Sequence, residues 1–161
     1  MRNLLAPFQH APEAQAHLQP IRLFLAEMVM DGSVDPGGER MSDILNRGGE
    51  LAVLPSGADG FQDRDWMSVH IDDLEMVVPP PHVSPPDKRI ERNRHPVRMR
   101  IGDWQLTGTA HLKPGAQADA MLLSTHPFLP LTDVTMWSPD GTPEMQDVVI
   151  VNLRHAEFAE D

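Results

Sequence analysis

The segment from His70 to Asp73, His-Ile-Asp-Asp, is the part of the sequence with the best combination of residue types for metal chemistry. Alternate residues of a β-strand share one face, so a strand here would place His70 and Asp72 side by side. Two such ligands do not complete a metal site, and the sequence identifies no third one. We therefore expect an exposed polar corner at His70 and Asp72, and we keep a metal-dependent enzyme centred on them only as an alternative.

Other catalytic constellations are missing from the sequence. The chain has no cysteine, which excludes disulfides, thiolate metal sites and cysteine nucleophiles. It also has no Gly-x-Ser-x-Gly elbow, no phosphate-binding Gly-x-x-x-x-Gly-Lys-Ser/Thr loop and no dinucleotide-binding Gly-x-Gly-x-x-Gly fingerprint. The remaining histidines are scattered and lack the His-Glu-x-x-His spacing. We predict that the protein is not an enzyme and needs no cofactor.

A basic segment from residue 88 to residue 100 is the second feature with chemical potential. It holds six cations and one acidic residue, Glu91, so its net charge is +5. The whole chain carries −11, so the residues outside this segment carry −16. These cations could bind phosphates, dock an acidic partner, or pair with acidic surface of this chain or of a second copy, and Arg98 and Arg100 could simply form the solvent face of a strand. Because the acidic remainder repels a polyanion, we favour a protein partner or homo-oligomer over nucleic acid. The six residues are Lys88, Arg89, Arg92, Arg94, Arg98 and Arg100.

Length and composition limit what can position these residues. With 161 residues, of which 40% are hydrophobic, the chain can form one ordinary domain or two small ones. Aromatic residues make up only 5%, with no tyrosine, so platforms for stacking nucleic-acid bases are scarce. No apolar run approaches the roughly 18 residues of a membrane span, and the first residues lack a secretory pattern. We expect a cytoplasmic protein without a membrane span.

The sequence contains an internal repeat. The stretch 21–34 (IRLFLAEMVMDGSV) aligns without a gap on 97–110 (VRMRIGDWQLTGTA), which places Gly32 over Gly108. Further along, 65–75 aligns on 147–157 with apolar residues at matching positions. After a two-residue gap, Pro36-Gly37 aligns on Pro114-Gly115 and the helical pair Ile44-Leu45 on Leu122-Leu123. Alternation shared by all β-rich chains could produce part of this match, but it would not place a Gly, a Pro-Gly and a helical apolar pair in the same order twice. The pattern indicates a duplicated unit.

Each unit is predicted to follow the order β-β-α-β-β-β. Strict alternation in Val97-Arg-Met-Arg-Ile101 predicts a strand, and Gly108 is expected to kink or bulge the next one. The predicted organisation is an N-terminal tail or short helix over 1–20, a first unit over 21–78, a Pro-rich basic linker over 79–96 and a second unit over 97–161. In the second unit we expect strands over 97–101, 104–112, 128–137 and 148–151, a helix over 116–125 and a short final strand.

Two segments of the second unit resemble Sm motifs. The stretch VRMRIGDWQLTGTAHL is similar to the first Sm motif, a charged hairpin with a Gly in its second strand, and VIVNLRHAEFAED is similar to the second. The helix between strands two and three departs from the Sm pattern, and the nucleotide-contacting Asp-x-x-Met-Asn-like stretch is missing. The run PGAQADAMLLSTHPFLPLTD, followed by VVIVN, also resembles a bacterial family of small uncharacterised proteins, which brings no function with it.

These resemblances imply a mainly β (α+β) protein made of two tandem Sm-like or SH3-like barrel units, each with a short helix between strands two and three. Such units offer strand edges and barrel flanks as docking surfaces, as Sm-like units do when they form rings. We predict a non-catalytic protein-interaction adaptor or accessory assembly subunit. The first alternative is an Sm-like nucleic-acid-binding or regulatory protein that uses the 88–100 basic arm.

Overall fold

The computed structural model describes residues 17–56, 66–81, 93–112 and 126–159. Within them the chain is mainly β, with ten strands and one α-helix, so the predicted fold class is confirmed at that level. The helix is α1 (Met41–Arg47). The strands are β1 (Gln19–Phe24), β2 (Val29–Val34), β3 (Glu50–Pro55), β4 (Met67–His70), β5 (Met76–Val78), β6 (Asn93–Ile101), β7 (Trp104–Leu112), β8 (Phe128–Trp137), β9 (Pro143–Asn152) and β10 (Ala156–Phe158).

The ten strands form one antiparallel sheet that curls into a half-barrel. Their order across the sheet is β10-β6-β7-β8-β9-β5-β1-β2-β3-β4. In each half of the chain the fifth strand therefore lies beside the first, and the second, third and fourth follow in sequence order. The two halves meet where β9 pairs with β5, and β4 and β10 are the edge strands of the sheet that the described residues form.

Two hydrophobic clusters stabilise the sheet, and each takes residues from both halves. Phe128 and Ile150, from β8 and β9, pack into the cluster built mainly from the first half. Phe24 and Met76, from β1 and β5, pack into the cluster of the second half, where the Phe24 ring meets the ring of Trp104 edge-on at 5.0 Å. The strands at the junction are thus covered on both faces, which ties the halves into one packed body.

Each half contains a 3₁₀ helix between its fourth and fifth strands, at Ile71–Asp73 and at Leu153–His155. A side chain that follows β9 spans the same junction: Arg154 Nη1 lies 3.3 Å from Asp72 Oδ1. The helix α1 lies between β2 and β3, buries Met41 and Leu45, and ends at Gly48 with φ 75°. The helix expected over 116–125 lies outside the described residues, as do most of the 1–20 segment and residues 82–92.

Glycine in the second strand of each half lets the third strand approach closely. A Cβ added to Gly32 would lie 2.8 Å from the carbonyl oxygen of Leu54 in β3. At Gly108 the nearest backbone atom, the Thr132 carbonyl oxygen, would be 3.4 Å away. The register between β7 and β8 shifts at Gly108, opposite Asp133, which adopts a positive φ of 52°. A bulge therefore lies opposite Gly108, but its extra residue belongs to β8 and not to β7, the strand in which it was predicted.

Strand β6 begins at Asn93, earlier than the predicted start at residue 97, and it includes Pro96. Proline lacks an amide donor and is tolerated in a strand only where no partner needs that donor. Strand β10 pairs only with Met99 to Ile101, so Pro96 lies on a stretch of β6 whose far side has no strand partner among the described residues. Pro96 therefore fits the strand, although its presence in the sequence suggested a linker.

Candidate interaction surfaces

The basic arm is partly placed by β6. Arg94, Arg98 and Arg100 are all exposed, and they alternate with buried residues such as Met99 and Ile101, which are 1% and 0% exposed. Alternation along a strand puts the three arginines on one face, the outer face of the sheet. They therefore do form the solvent face of a strand, one of the alternatives that the sequence left open. Lys88, Arg89 and Arg92 lie outside the described residues.

The three arginines differ in what they contact. Arg100 lies opposite Glu157 of β10, and its Nη2 atom is 2.9 Å from Glu157 Oε2. Within the described residues, neither Arg94 nor Arg98 makes a hydrogen bond or an ion pair through its side chain. Of the three described cations of the arm, Arg100 thus pairs with this chain's own acidic surface, while the other two face outward with no carboxylate partner among the described residues.

A shallow open groove of about 470 Å³ lies beside Arg98, and we call it the Arg98 groove. It runs between the β6–β7 hairpin and the β8–β9 turn. The outer face of β7 supplies polar side chains to its floor, and the partly exposed indole of Trp137 forms an apolar wall. Its polar and aromatic lining consists of Arg98, Asp103, Gln105, Thr107, Trp137 and Ser138.

Strand register extends this groove into a row of side chains across four strands. Arg98 lies opposite Thr107, Thr107 opposite Thr135, and Thr135 opposite Met145. Residues directly opposite one another in antiparallel strands share a face and lie close together. Met145 is 81% exposed, the highest value among the described large hydrophobic residues. The outer face therefore has a cation at one end of the row and an exposed apolar side chain at the other.

The turn at one end of the Arg98 groove holds a fixed negative charge. Gly141, with φ 86°, donates its N–H to the carbonyl oxygen of Ser138 at 2.8 Å. The carboxylate of Asp140 accepts hydrogen bonds from the Ser138 hydroxyl and from the N–H of Thr142, the latter at 2.9 Å. These bonds, the one from Ser138 foremost, lower the pKa of Asp140 from 3.8 to about 2. Asp140 is therefore ionised throughout the neutral range.

The two residues considered as metal ligands are placed in a polar corner. His70 ends β4, and Asp72 lies in the 3₁₀ helix that follows. The Asp72 carboxylate faces Arg154, and its carbonyl oxygen lies 2.9 Å from His155 Nε2, which must carry the proton because a carbonyl only accepts. In the part of the chain that the structure describes, no group of three His, Asp or Glu side chains could hold a metal ion.

The two edge strands of the described sheet have backbone N–H groups that point away from their strand partners. Ile71 donates its N–H to the carbonyl oxygen of Gly49 at 2.9 Å, in line with the β3–β4 register. Along an antiparallel strand, successive N–H groups point alternately toward and away from the neighbouring strand. The N–H groups of His70 and Ser68 therefore face away from β3. At the other edge, Ala159 donates to Arg98 at 2.9 Å, so the N–H of Phe158 faces away from β6. Both edges are short, four and three residues long.

Sequence reasoning did not single out Trp137, Met145 or Asn152. Asn152 is fully buried at the junction, donates from Nδ2 to the carbonyl oxygen of Leu74 at 2.8 Å and accepts from the Arg154 N–H at 3.1 Å. A polar residue at the end of the apolar run VVIV was the one available signal for Asn152. Trp137 and Met145 share the outer face with Arg98 only through strand register, which the sequence does not state.

Among the described residues, no helix is long and apolar enough to cross a membrane. Comparison with known proteins finds no family model, no curated protein and no solved structure that matches this chain. Arguments about function therefore depend on the chain's own residues and their arrangement.

Proposed function

We propose that the two halves are copies of one small Sm-like unit and that the chain is a non-catalytic interaction module, an adaptor or accessory assembly subunit that self-associates. Three features support the duplication. The strand order is the same in both halves, the 3₁₀ helix lies between strands four and five in both, and the aligned Gly32 and Gly108 lie at close approaches to the next strand. The sequence alignment also places Ile71 over Leu153, the first residues of the two 3₁₀ helices.

The observation that carries the proposal is the pairing of β9 with β5. It joins the fourth strand of one half to the fifth strand of the other, with Met76 opposite Val151 and Val77 opposite Ile150. The same topology leaves the outer side of a fourth strand, β4, and of a fifth strand, β10, without a strand partner among the described residues. A second copy can repeat the internal pairing by adding its β10 to β4 of the first. Such a head-to-tail contact produces a ring if the rotation closes and a filament if it does not.

The experiment is a measurement of mass in solution across a concentration series, by light scattering or sedimentation. Wild-type protein is expected to form dimers or larger oligomers, whose masses are multiples of the 17.9 kDa of one chain. Ser68→Pro removes an outward-facing N–H donor of β4 without removing a backbone hydrogen bond to β3, so it should give a monomer. It also loses the hydroxyl that donates to Glu50 at 2.9 Å, so Ser68→Ala, which loses the same hydroxyl but keeps the N–H, is the matched control and should self-associate as wild-type protein does. A wild-type monomer at every concentration, or a Ser68→Pro oligomer, would contradict self-association through β4.

Exposure of Arg94 and Arg98 on one face favours the second candidate function, nucleic-acid binding through the 88–100 arm. In that case RNA retention should fall steeply with salt, because each phosphate contact releases about one counterion. Replacing Arg92, Arg94 and Arg98 with Ala should abolish that retention. Absence of binding at low ionic strength, or binding that does not depend on salt, would remove this candidate.

A further inference from the structure

We propose that the Arg98 groove binds a short acidic peptide segment of a partner protein, with a carboxylate of the peptide on Arg98 and an apolar side chain against Trp137 and Met145. This surface is the outer face of β6 to β9. It is separate from the exposed backbone edges of β4 and β10, so the inference goes beyond the proposed self-association.

Arg98 differs from most described arginines of this chain in having no carboxylate partner among the described residues. The chain has 24 acidic residues against 13 lysines and arginines, so an arginine at its surface readily meets a carboxylate. Four described arginines do so within 3.5 Å, whereas the Arg98 side chain has no such contact in the described part of the chain. A guanidinium presents donors in a planar fork that matches a carboxylate, and here it faces a groove. The four paired arginines are Arg22, Arg47, Arg100 and Arg154.

The second argument is the distance from the cation to the apolar end of the row. Three strand spacings of about 4.8 Å separate Arg98 from Met145, about 14 Å in total, which four or five extended residues cover. The partly exposed Trp137 lies between them in the neighbouring row, opposite Gln105 of β7 and Pro143 of β9. Methionine adapts its shape to different apolar partners. The fitting ligand is therefore an extended segment with an acidic residue and an apolar residue about four positions apart.

The third argument disfavours a polyanion in the same groove. Asp103 lines the groove, and the ionised Asp140 lies in the turn at its end. A nucleic acid would bring a phosphate at every nucleotide, and phosphates beyond Arg98 would meet these carboxylates and a chain of net charge −11. A peptide with a single carboxylate, placed on Arg98, meets less of that repulsion than a chain of phosphates does.

The experiment selects peptides that bind the whole chain from a phage library of random dodecapeptides. Counter-selection on the Arg98→Ala variant removes peptides that bind without Arg98. Enriched peptides should carry Asp or Glu about four positions from a large apolar residue. In fluorescence anisotropy with the best synthetic peptide, Arg98→Ala should weaken binding about tenfold or more, as expected for the loss of a charge-assisted hydrogen bond. Met145→Ala should weaken it severalfold, and Arg154→Ala, an exposed arginine elsewhere, is the matched control that should not change it.

Three results would overturn the proposal: no enrichment beyond the Arg98→Ala background, enriched peptides without acidic residues, or equal affinity for wild-type protein and Arg98→Ala. A single-stranded RNA that binds more tightly than the peptides, and that Arg98→Ala releases, would assign the groove to nucleic acid instead. Ser68→Pro should bind the selected peptide as wild-type protein does. That variant therefore separates failure of the groove from failure of self-association.

Discussion

The junction between β9 and β5 depends on one fully buried polar side chain, Asn152, and its replacement by alanine tests how the halves are held together. Asn152→Ala leaves the carbonyl oxygen of Leu74 and the N–H of Arg154 without their side-chain partners. A buried polar group that loses its partner costs about 1–3 kcal/mol, and Arg154 is exposed enough for water to compensate part of its loss. We expect a destabilisation of about 2–4 kcal/mol, which for a chain of this size lowers Tm by roughly 5–15 °C.

Urea and thermal unfolding, followed by far-ultraviolet circular dichroism, measure this effect. Asn152→Asp keeps the acceptor for Arg154 but brings a second acceptor oxygen toward the Leu74 carbonyl, so it should destabilise at least as much as the alanine variant. Gln105→Ala, an exposed change on the outer face, should shift stability by less than about 0.5 kcal/mol. Because each hydrophobic cluster contains residues of both halves, every variant should unfold in one transition.

If Asn152→Ala unfolds at the same urea concentration as wild-type protein, the junction does not depend on the hydrogen bonds of Asn152. That result would mean that the packed strands alone hold the junction and that water replaces the lost bonds at no cost. Two separate transitions in wild-type protein would contradict the prediction that both halves unfold together. They would mean that each hydrophobic cluster is stable without Phe24 or Phe128 from the other half of the chain.

Two further predictions concern the turns and close approaches of the sheet. Gly32→Ala should destabilise by about 1–3 kcal/mol and Gly108→Ala by less, as compared by urea midpoints, because the first Cβ meets the Leu54 backbone at 2.8 Å and the second meets a methyl group of Val134 at 3.1 Å. Equal losses would contradict this ranking. The pKa of Asp140 is about 2 in the folded chain and 3.8 ordinarily, so its turn stabilises the fold above about pH 4 and loses that effect as pH falls toward about 2. Asp140→Asn should therefore show a smaller difference in urea midpoint between about pH 5 and about pH 2.5 than wild-type protein, and an unchanged difference would contradict the assignment.

Local alternation was enough to predict several strands. The β7 and β8 bounds, Trp104–Leu112 and Phe128–Trp137, agree with the predicted ranges, because apolar and polar residues alternate there as a half-buried strand requires. Gly108 also marked the level of a bulge, because glycine inside a strand often accompanies a bulge or the close approach of another backbone, although the extra residue is in the facing strand β8. These are properties of neighbours in sequence, which a single sequence states directly.

The candidate surfaces depended on contacts that the sequence does not state. The basic arm was recognisable from charge alone, but the placement of Trp137 and Met145 on the same face of the sheet as Arg98 comes from the registers of three strand pairs. The junction was equally hidden, because the pairing of β5 with β9 joins residues more than 70 positions apart. Long-range register is set by the packing of the whole sheet, so short patterns could not predict which side chains share the groove.

Residues at aligned positions of β4 and β9 differ, and this difference limits how strong a contact between copies can be. Ile150 is buried at the junction, and the alignment places it over Ser68, which is exposed on β4; the fully buried Asn152 is placed over the exposed His70. The internal pairing therefore buries apolar surface that the free edge lacks. Charged and polar residues on short edge strands are also how soluble proteins limit uncontrolled pairing. Association between copies through β4 and β10 must then be weaker than the internal junction, so it should be reversible and depend on protein concentration.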